Sequence, residues 1–139
     1  MAGGQISQLI RLFEQLPEEQ ANELMKRLLR EQPLVAFRIA QKHFAFDDLR
    51  YADENGLASL IETVGEDVVV TALTGADDGL VRRFADQFGT GRVRTFIQDV
   101  DQSMARSGAV ESARRTMLVK AMMLKRRGRL KLNRPGIES

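Results

Sequence analysis

The chain has 139 residues, one His and no Cys, and its net charge at neutral pH is only +2. Without Cys it has no disulfide, no Cys-ligated zinc site and no thiol nucleophile. No apolar run approaches the roughly 20 residues of a membrane span, and the N-terminal residues do not follow the secretory-signal pattern. We therefore expect a soluble, cytoplasmic protein without membrane insertion, built as one domain or two small helical subdomains.

The spacing of apolar residues is helical nearly throughout. One face of the first predicted helix carries Ile6, Leu9, Ile10, Phe13 and Leu16. The second helix begins at Pro17, buries Leu24 and Leu28, and ends before Pro33, because Pro suits the first turn of a helix and not its interior. A third helix runs from Pro33 toward His43.

The helical pattern resumes at Leu57 and closes at Gly65. The next run, E-D-V-V-V-T-A-L-T-G, has the β-branched residues of a strand, but the acids at its start and Gly75 at its end favour a short helix. The remaining helices are predicted within Leu80 to Phe88, Val93 to Met104, and Val110 to Arg127, with R-S-G at 106–108 ending the second of these. About eight short helices indicate an all-α fold.

Charge is distributed unevenly along the chain. Nine Lys and Arg residues lie between Glu111 and Glu138 with no acid among them, whereas the acids cluster earlier. Such an asymmetry can guide self-assembly or attract an acidic partner. It would also attract phosphates, but no aromatic residue is interleaved for base stacking, so nucleic-acid binding is the weaker interpretation.

No group of residues forms a recognisable catalytic or metal site. His43 has no Cys or second His to share a metal or to build a triad. The acid pairs Asp47/Asp48 and Asp77/Asp78 stand at predicted helix starts, where helix capping explains them. We therefore predict a protein that is not an enzyme and needs no cofactor or metal.

Several motifs resemble the C-terminal region of the flagellar motor switch family FliG. The stretch H-F-A-F-D-D-L is similar to that family's M-F-x-F-E-D-L, with His43 at the Met position. L-P-E-E-Q-A-N-E-L upstream, and L-A-S-L-I-E-T-V-G-E-D, V-T-A-L-T-G-A and L-V-R-R-F downstream, follow the family's order and spacing. The resemblance covers about residues 3–133, nearly the whole chain.

The resemblance implies a division of the chain into two helical units. An armadillo-like unit at 3–45 would be joined by a hinge to a six-helix C-terminal unit at 46–133, with a tail at 134–139. The hinge would be His43, Phe44, Ala45 and Phe46, and the two phenylalanines would plug the units together. The alternative is that these phenylalanines are ordinary core residues of one continuous domain.

The resemblance also implies a motor role that depends on charged side chains facing the stator. Thr74 stands where the family has Lys, so this charge pattern is weakened. The candidates that remain for partner-facing charges are Arg92, Arg94, Asp99, Asp101 and Arg106. The alternative for all five is a solvated surface with no partner.

Two functions follow from the resemblance. The first is a motor-switch component or paralogue, located in the cytoplasm at the inner face of the membrane. Its partners would be rotor or stator proteins, and it would self-associate through Leu9, Phe13, Leu24 and Leu28. The second is a stand-alone scaffold or adaptor that kept the fold outside the motor and binds an acidic partner through its basic segment.

Overall fold

The computed structural model describes residues 3–133, with side chains described from residue 7 onward. The described chain is all-α, which confirms the predicted fold class. Its helices are α1 (Gly3–Gln15), α2 (Glu18–Glu31), α3 (Pro33–Gln41), a 3-10 helix (Phe46–Tyr51), α4 (Glu54–Val64), α5 (Glu66–Leu73), α6 (Asp78–Ala85), α7 (Val93–Asp101) and α8 (Ser107–Arg126).

Helix starts and ends follow local chemistry. Pro33 occupies the first turn of α3, where its missing N–H costs nothing. Gly65 ends α4 with φ +92, a conformation that side chains with a Cβ rarely adopt. Asp77 caps α6 by accepting a hydrogen bond from the Leu80 N–H (3.0 Å).

The last helix, α8, lies at the centre of the molecule. It packs against α2, α3, α4 and α5, and eight of its side chains, all of them Met, Leu, Val or Ala, are buried. One hydrophobic core therefore runs through both predicted units, from Phe13 in α1 to Leu132 beyond α8. The predicted boundary at 45/46 falls where the 3-10 helix begins, and the division into two units stays a prediction.

The segment after α8 turns back along the start of α4. Ala52 and Leu132 form an antiparallel bridge, and Asp53 and Lys131 exchange hydrogen bonds of 2.9 and 2.8 Å. Leu132 is fully buried, and Leu130 is only 1% exposed. Hence this part of the basic C-terminal segment is a packed closing element. The predicted tail at 134–139 lies outside the described residues.

Three sequence-based assignments can be compared with the structure. The ambiguous β-branched run is helix α5, which confirms the prediction based on its flanking acids and glycine. The predicted extension of this helix to Met104 is wrong: α7 ends at Asp101, and Met104 is 92% exposed in the following loop. R-S-G does not end a helix either, because Ser107 and Gly108 form the first turn of α8. No helix in residues 3–133 is long and apolar enough to cross a membrane.

Candidate functional site

The predicted hinge residues lie where α3 gives way to the 3-10 helix. Phe44 is buried in the core, Phe46 is half-buried and Ala45 is exposed. His43 is half-buried and meets the ring of Phe13 edge-on, with ring centroids 6.4 Å apart. Burial of Phe44 suits both a hinge plug and an ordinary core residue, so the choice between the two stays open.

Two arginines of α8 cap the ends of helices in the two predicted units. Arg126 donates to the carbonyl oxygens of Phe13 (2.8 Å) and Leu16 (2.7 Å) at the end of α1, and its guanidinium lies 4.4 Å from the Phe13 ring centroid. Arg114 donates to Ala72 O (2.7 Å) and Thr74 O (3.1 Å) at the end of α5. Both satisfy carbonyls that a helix end leaves without partners.

Arg114 also links α5 to the hinge. Its guanidinium lies 5.1 Å from the ring centroid of Phe46, so one side chain contacts the hinge aromatic and the α5 terminus. From the sequence alone, both arginines belong to a basic terminal segment, and nothing in the pattern of residues indicates this role.

The environment of His43 disfavours its protonated form. Burial, followed by the positive charge of Lys125, lowers the pKa of His43, while Glu14 acts in the opposite direction and Arg126 adds to the lowering. The ring shares a small cavity with Phe13 and the cations of α8. A neutral imidazole is therefore favoured at this junction near neutral pH.

A second polar network surrounds the start of α6. Arg50 pairs with Asp47 (2.5 Å) and with Asp77, and Arg83 donates to Arg50 O (3.0 Å) and to Ala52 O. The Leu80 N–H and then Arg50 lower the pKa of Asp77. The Leu80 contact supports the capping interpretation for Asp77, and the pairs with Arg50 give Asp47 and Asp77 a structural role.

The predicted partner-facing charges divide into two groups. Arg92 forms an ion pair with Glu66 (2.5 Å) and lies over the Phe88 ring, so its charge is partly compensated within the chain. The others are exposed and make no ion pair within residues 3–133: Arg94, Asp99, Asp101 and Arg106. On α7, positions 94 and 101 share one side of the helix, and position 99 lies on another exposed side.

Thr74, the residue at the family's Lys position, is half-buried and bonded within the chain. Its hydroxyl hydrogen-bonds with the Ser103 hydroxyl (2.7 Å) and lies 3.1 Å from Val70 O. It therefore ties the end of α5 to the loop after α7. A neutral, internally bonded side chain here cannot present a charge to a partner.

The predicted self-association residues are only partly accessible. Phe13 and Leu28 are buried in the core, whereas Leu9 and Leu24 are half-buried. Exposed Leu12 on α1 extends the accessible apolar surface. An open groove lined by Leu16 and Leu24 among charged residues of α2 lies next to it. The accessible part of this surface is thus narrower than the four predicted residues imply.

Within residues 3–133, no group of three or more metal-ligating side chains could hold a metal ion. The model of the FliG C-terminal domain family matches residues 26–132. The curated flagellar motor switch protein FliG of Aquifex aeolicus (strain VF5) is 22% identical over 108 residues. That alignment covers 77% of this chain and 33% of the Aquifex protein.

Solved structures of FliG share the fold. The crystal structure of residues 116–343 of H. pylori FliG matches with a TM-score of 0.59 at 16% identity, covering 88% of this chain and 54% of that one. Full-length FliG from Aquifex aeolicus matches with a TM-score of 0.59 at 20% identity, covering 92% of this chain and 40% of that one. The chain therefore spans about a third to a half of the proteins it resembles.

Proposed function

The chain belongs to the FliG C-terminal domain family, and on this premise we propose that it acts as a protein-interaction component of a flagellar motor switch. The observation that carries the proposal is the match of the family model to residues 26–132, which includes the hinge motif and α4 to α8. The family assignment also supports the prediction that the chain is not an enzyme, because the family's proteins are structural motor components. Its place would be the cytoplasm, at the inner face of the membrane, beside rotor or stator proteins.

Coupling to a stator would use the exposed charges on and after α7. Arg94, Asp99, Asp101 and Arg106 are the available groups, while Arg92 is held by Glu66. Exposed charges act by their arrangement across an interface. Because Arg92 is paired within the chain and Thr74 carries no charge, fewer charges are available to face a stator, and the coupling would be weaker.

The hinge would let the unit at 3–45 and the unit at 46–133 change their relative orientation. Phe44 supplies a buried plug, and the Arg114 contact with Phe46 would limit the movement. Self-association in the rotor would use the accessible apolar surface around Leu9, Leu12 and Leu24.

The motor role is tested by purification of the protein from its native cell. The intact protein is compared with a variant carrying Phe44→Ala and Phe46→Ala and with a matched Phe96→Ala variant, which removes a buried aromatic elsewhere in the core. Recovery of rotor or stator proteins with the intact protein and with Phe96→Ala, lost in the hinge variant, is expected. Thermal unfolding of each variant separates loss of binding from loss of fold.

A second candidate is a stand-alone adaptor that kept the fold outside the motor. The internal hydrogen bonds of Thr74, where the family has a charged Lys, favour it. Deletion of the gene distinguishes the two functions. A strain that keeps normal swimming in soft agar, and whose purified protein recovers one consistent partner and no motor proteins, would establish the adaptor.

A further inference from the structure

A small cavity lies where the last turn of α1, the residues after α3 and the C-terminal half of α8 meet. Its volume is about 180 Å³, and it is lined by Phe13, His43, Met122, Lys125 and Arg126. Phe13 and Met122 are buried and form the apolar part of its wall, while the other three are half-buried and carry nitrogen atoms. We call it the junction cavity.

The positive charges of the junction cavity have no counter-charge in its wall. Among the side chains that the structure describes, no acid lines the cavity. Lys125 makes no ion pair within residues 3–133, and the two hydrogen bonds of Arg126 go to the uncharged carbonyls of Phe13 and Leu16. Two neighbouring cations beside an apolar wall create a positive potential that water screens less than it would at an open surface.

His43 adds a titratable group to this wall. The charged groups that face its ring are Lys125 and Arg126 of α8 and the exposed Glu14 of α1. Burial, followed by the charge of Lys125, lowers the pKa of His43, and Glu14 only partly offsets this. An anion in the cavity would act in the opposite direction, because it would favour the imidazolium.

We propose that the junction cavity binds a small oxyanion of the sulfate and phosphate class, held by Lys125, Arg126 and the imidazolium of His43. Lysine supplies a point charge and arginine supplies further N–H donors, which is the donor set that oxyanions require. A water molecule takes about 30 Å³ of the liquid, so the cavity has room for an ion of five heavy atoms.

A bound oxyanion would connect the end of α3 to α8. His43 directly precedes Phe44, the buried aromatic of the predicted hinge, so an occupied cavity would hold this junction more firmly. Because the imidazolium binds the anion and the neutral ring does not, binding should tighten as the pH falls through the pKa of His43. The site does not depend on the motor role.

The experiment follows the proton NMR signal of the His43 imidazole, which is unambiguous because the chain has a single His. The untagged full chain is titrated with sodium sulfate at several values between about pH 5 and about pH 8, over which sulfate keeps its charge. The reference is sodium chloride at the same ionic strength, which separates binding from charge screening. Backbone amide signals of α8 give the same titration for variants without the imidazole.

Three variants locate the site. Lys125→Met removes one cavity charge and keeps most of the apolar stem, and His43→Met removes the imidazole. The matched control is Lys120→Met, which removes a half-buried cation of the same helix that does not line the cavity. Circular dichroism checks the fold of each variant.

Sulfate, and not chloride, should shift the His43 signal to saturation and raise the pKa of the imidazole. Binding should be roughly tenfold tighter or more at the acidic end of the range than at the alkaline end. Lys125→Met should bind sulfate roughly tenfold more weakly or worse, and Lys120→Met should bind it as the intact chain does. His43→Met should bind weakly and with no pH dependence.

Three results would overturn the proposal. They are identical titrations of His43 in sulfate and chloride, sulfate binding to the intact chain that does not depend on pH, and equal loss of binding in Lys125→Met and Lys120→Met. The last result would mean a general attraction of anions to a basic helix.

Discussion

Replacing Arg126 with Ala should loosen α1 while leaving the other helices folded. The side chain makes two hydrogen bonds to the last carbonyls of α1 and covers the ring of Phe13, which is only 1% exposed. Apart from this contact α1 packs mainly on α3 and α2. The substitution should therefore lower the free energy of local opening of α1.

The size of the effect follows from the contacts. Hydrogen bonds from a charged donor contribute about 1.5–3 kcal/mol each when they are well shielded from solvent. The guanidinium of Arg126 is half-exposed, and solvent screening lowers the contribution to about 1 kcal/mol for each bond. The ring contact adds about 0.5–1 kcal/mol. Together they give about 3 kcal/mol, which corresponds to roughly a 100-fold fall in protection of the α1 amides against hydrogen exchange.

Hydrogen exchange read by mass spectrometry on peptides from residues 7–16 measures this directly. The matched control is Arg127→Ala, the exposed neighbour with one ion pair at 3.4 Å, which should change protection only slightly. Arg126→Lys should lie between the two, because an ammonium keeps the charge but not the fork that reaches both carbonyls. Equal protection of α1 in Arg126→Ala and Arg127→Ala would refute the capping argument.

Three further predictions concern stability. The pKa of His43 is lowered on folding, so its contribution to stability is complete above its unfolded pKa of about 6.5 and is lost as the pH falls through the folded pKa. Urea unfolding at several pH values should show that the free energy of unfolding depends less on pH in His43→Met. An identical pH dependence in both proteins would contradict the assignment. A Cβ at Gly56 would lie 2.7 Å from Leu130 Cγ and 2.9 Å from Leu130 Cα, so Gly56→Ala should lower the free energy of unfolding by about 1–3 kcal/mol, whereas Gly89→Ala, with open space around it, should be near neutral in thermal melts. Asp77→Ala removes the cap of α6 and should cost about 1 kcal/mol in chemical denaturation; no change would mean that the cap is dispensable.

Helix positions were predictable wherever apolar spacing and capping residues agreed. Pro33 and Gly65 marked helix boundaries that the structure has at the same places. The run around Val69 was resolved as helix by its flanking acids and glycine, because local chemistry at helix ends outweighs a modest strand propensity. The motif around Phe44 identified the family, which spacing alone could not do.

Tertiary contacts were less predictable, because helical periodicity says which side chains face inward and not what they meet. Arg114 and Arg126 looked like solvated cations, yet each reaches the end of a helix far away in sequence. Phe13 and Leu28 were predicted to face a neighbour, but both are buried within the same chain, where α1 packs on α2 and α3 and α2 packs on α3 and α8. Met104 was misplaced because an apolar residue that continues a pattern does not prove that the helix continues.

The central position of α8 has a consequence for how the chain folds. Helices α2 to α5 precede α8 in sequence and pack on it, so they lack their common core until α8 has been synthesised. The bridge between Leu132 and Ala52 closes a loop of some 80 residues. The contacts that complete the fold therefore join residues that are far apart in the sequence. We expect folding to complete only after the ribosome has released this segment, with the earlier helices exposed meanwhile to chaperones and to aggregation.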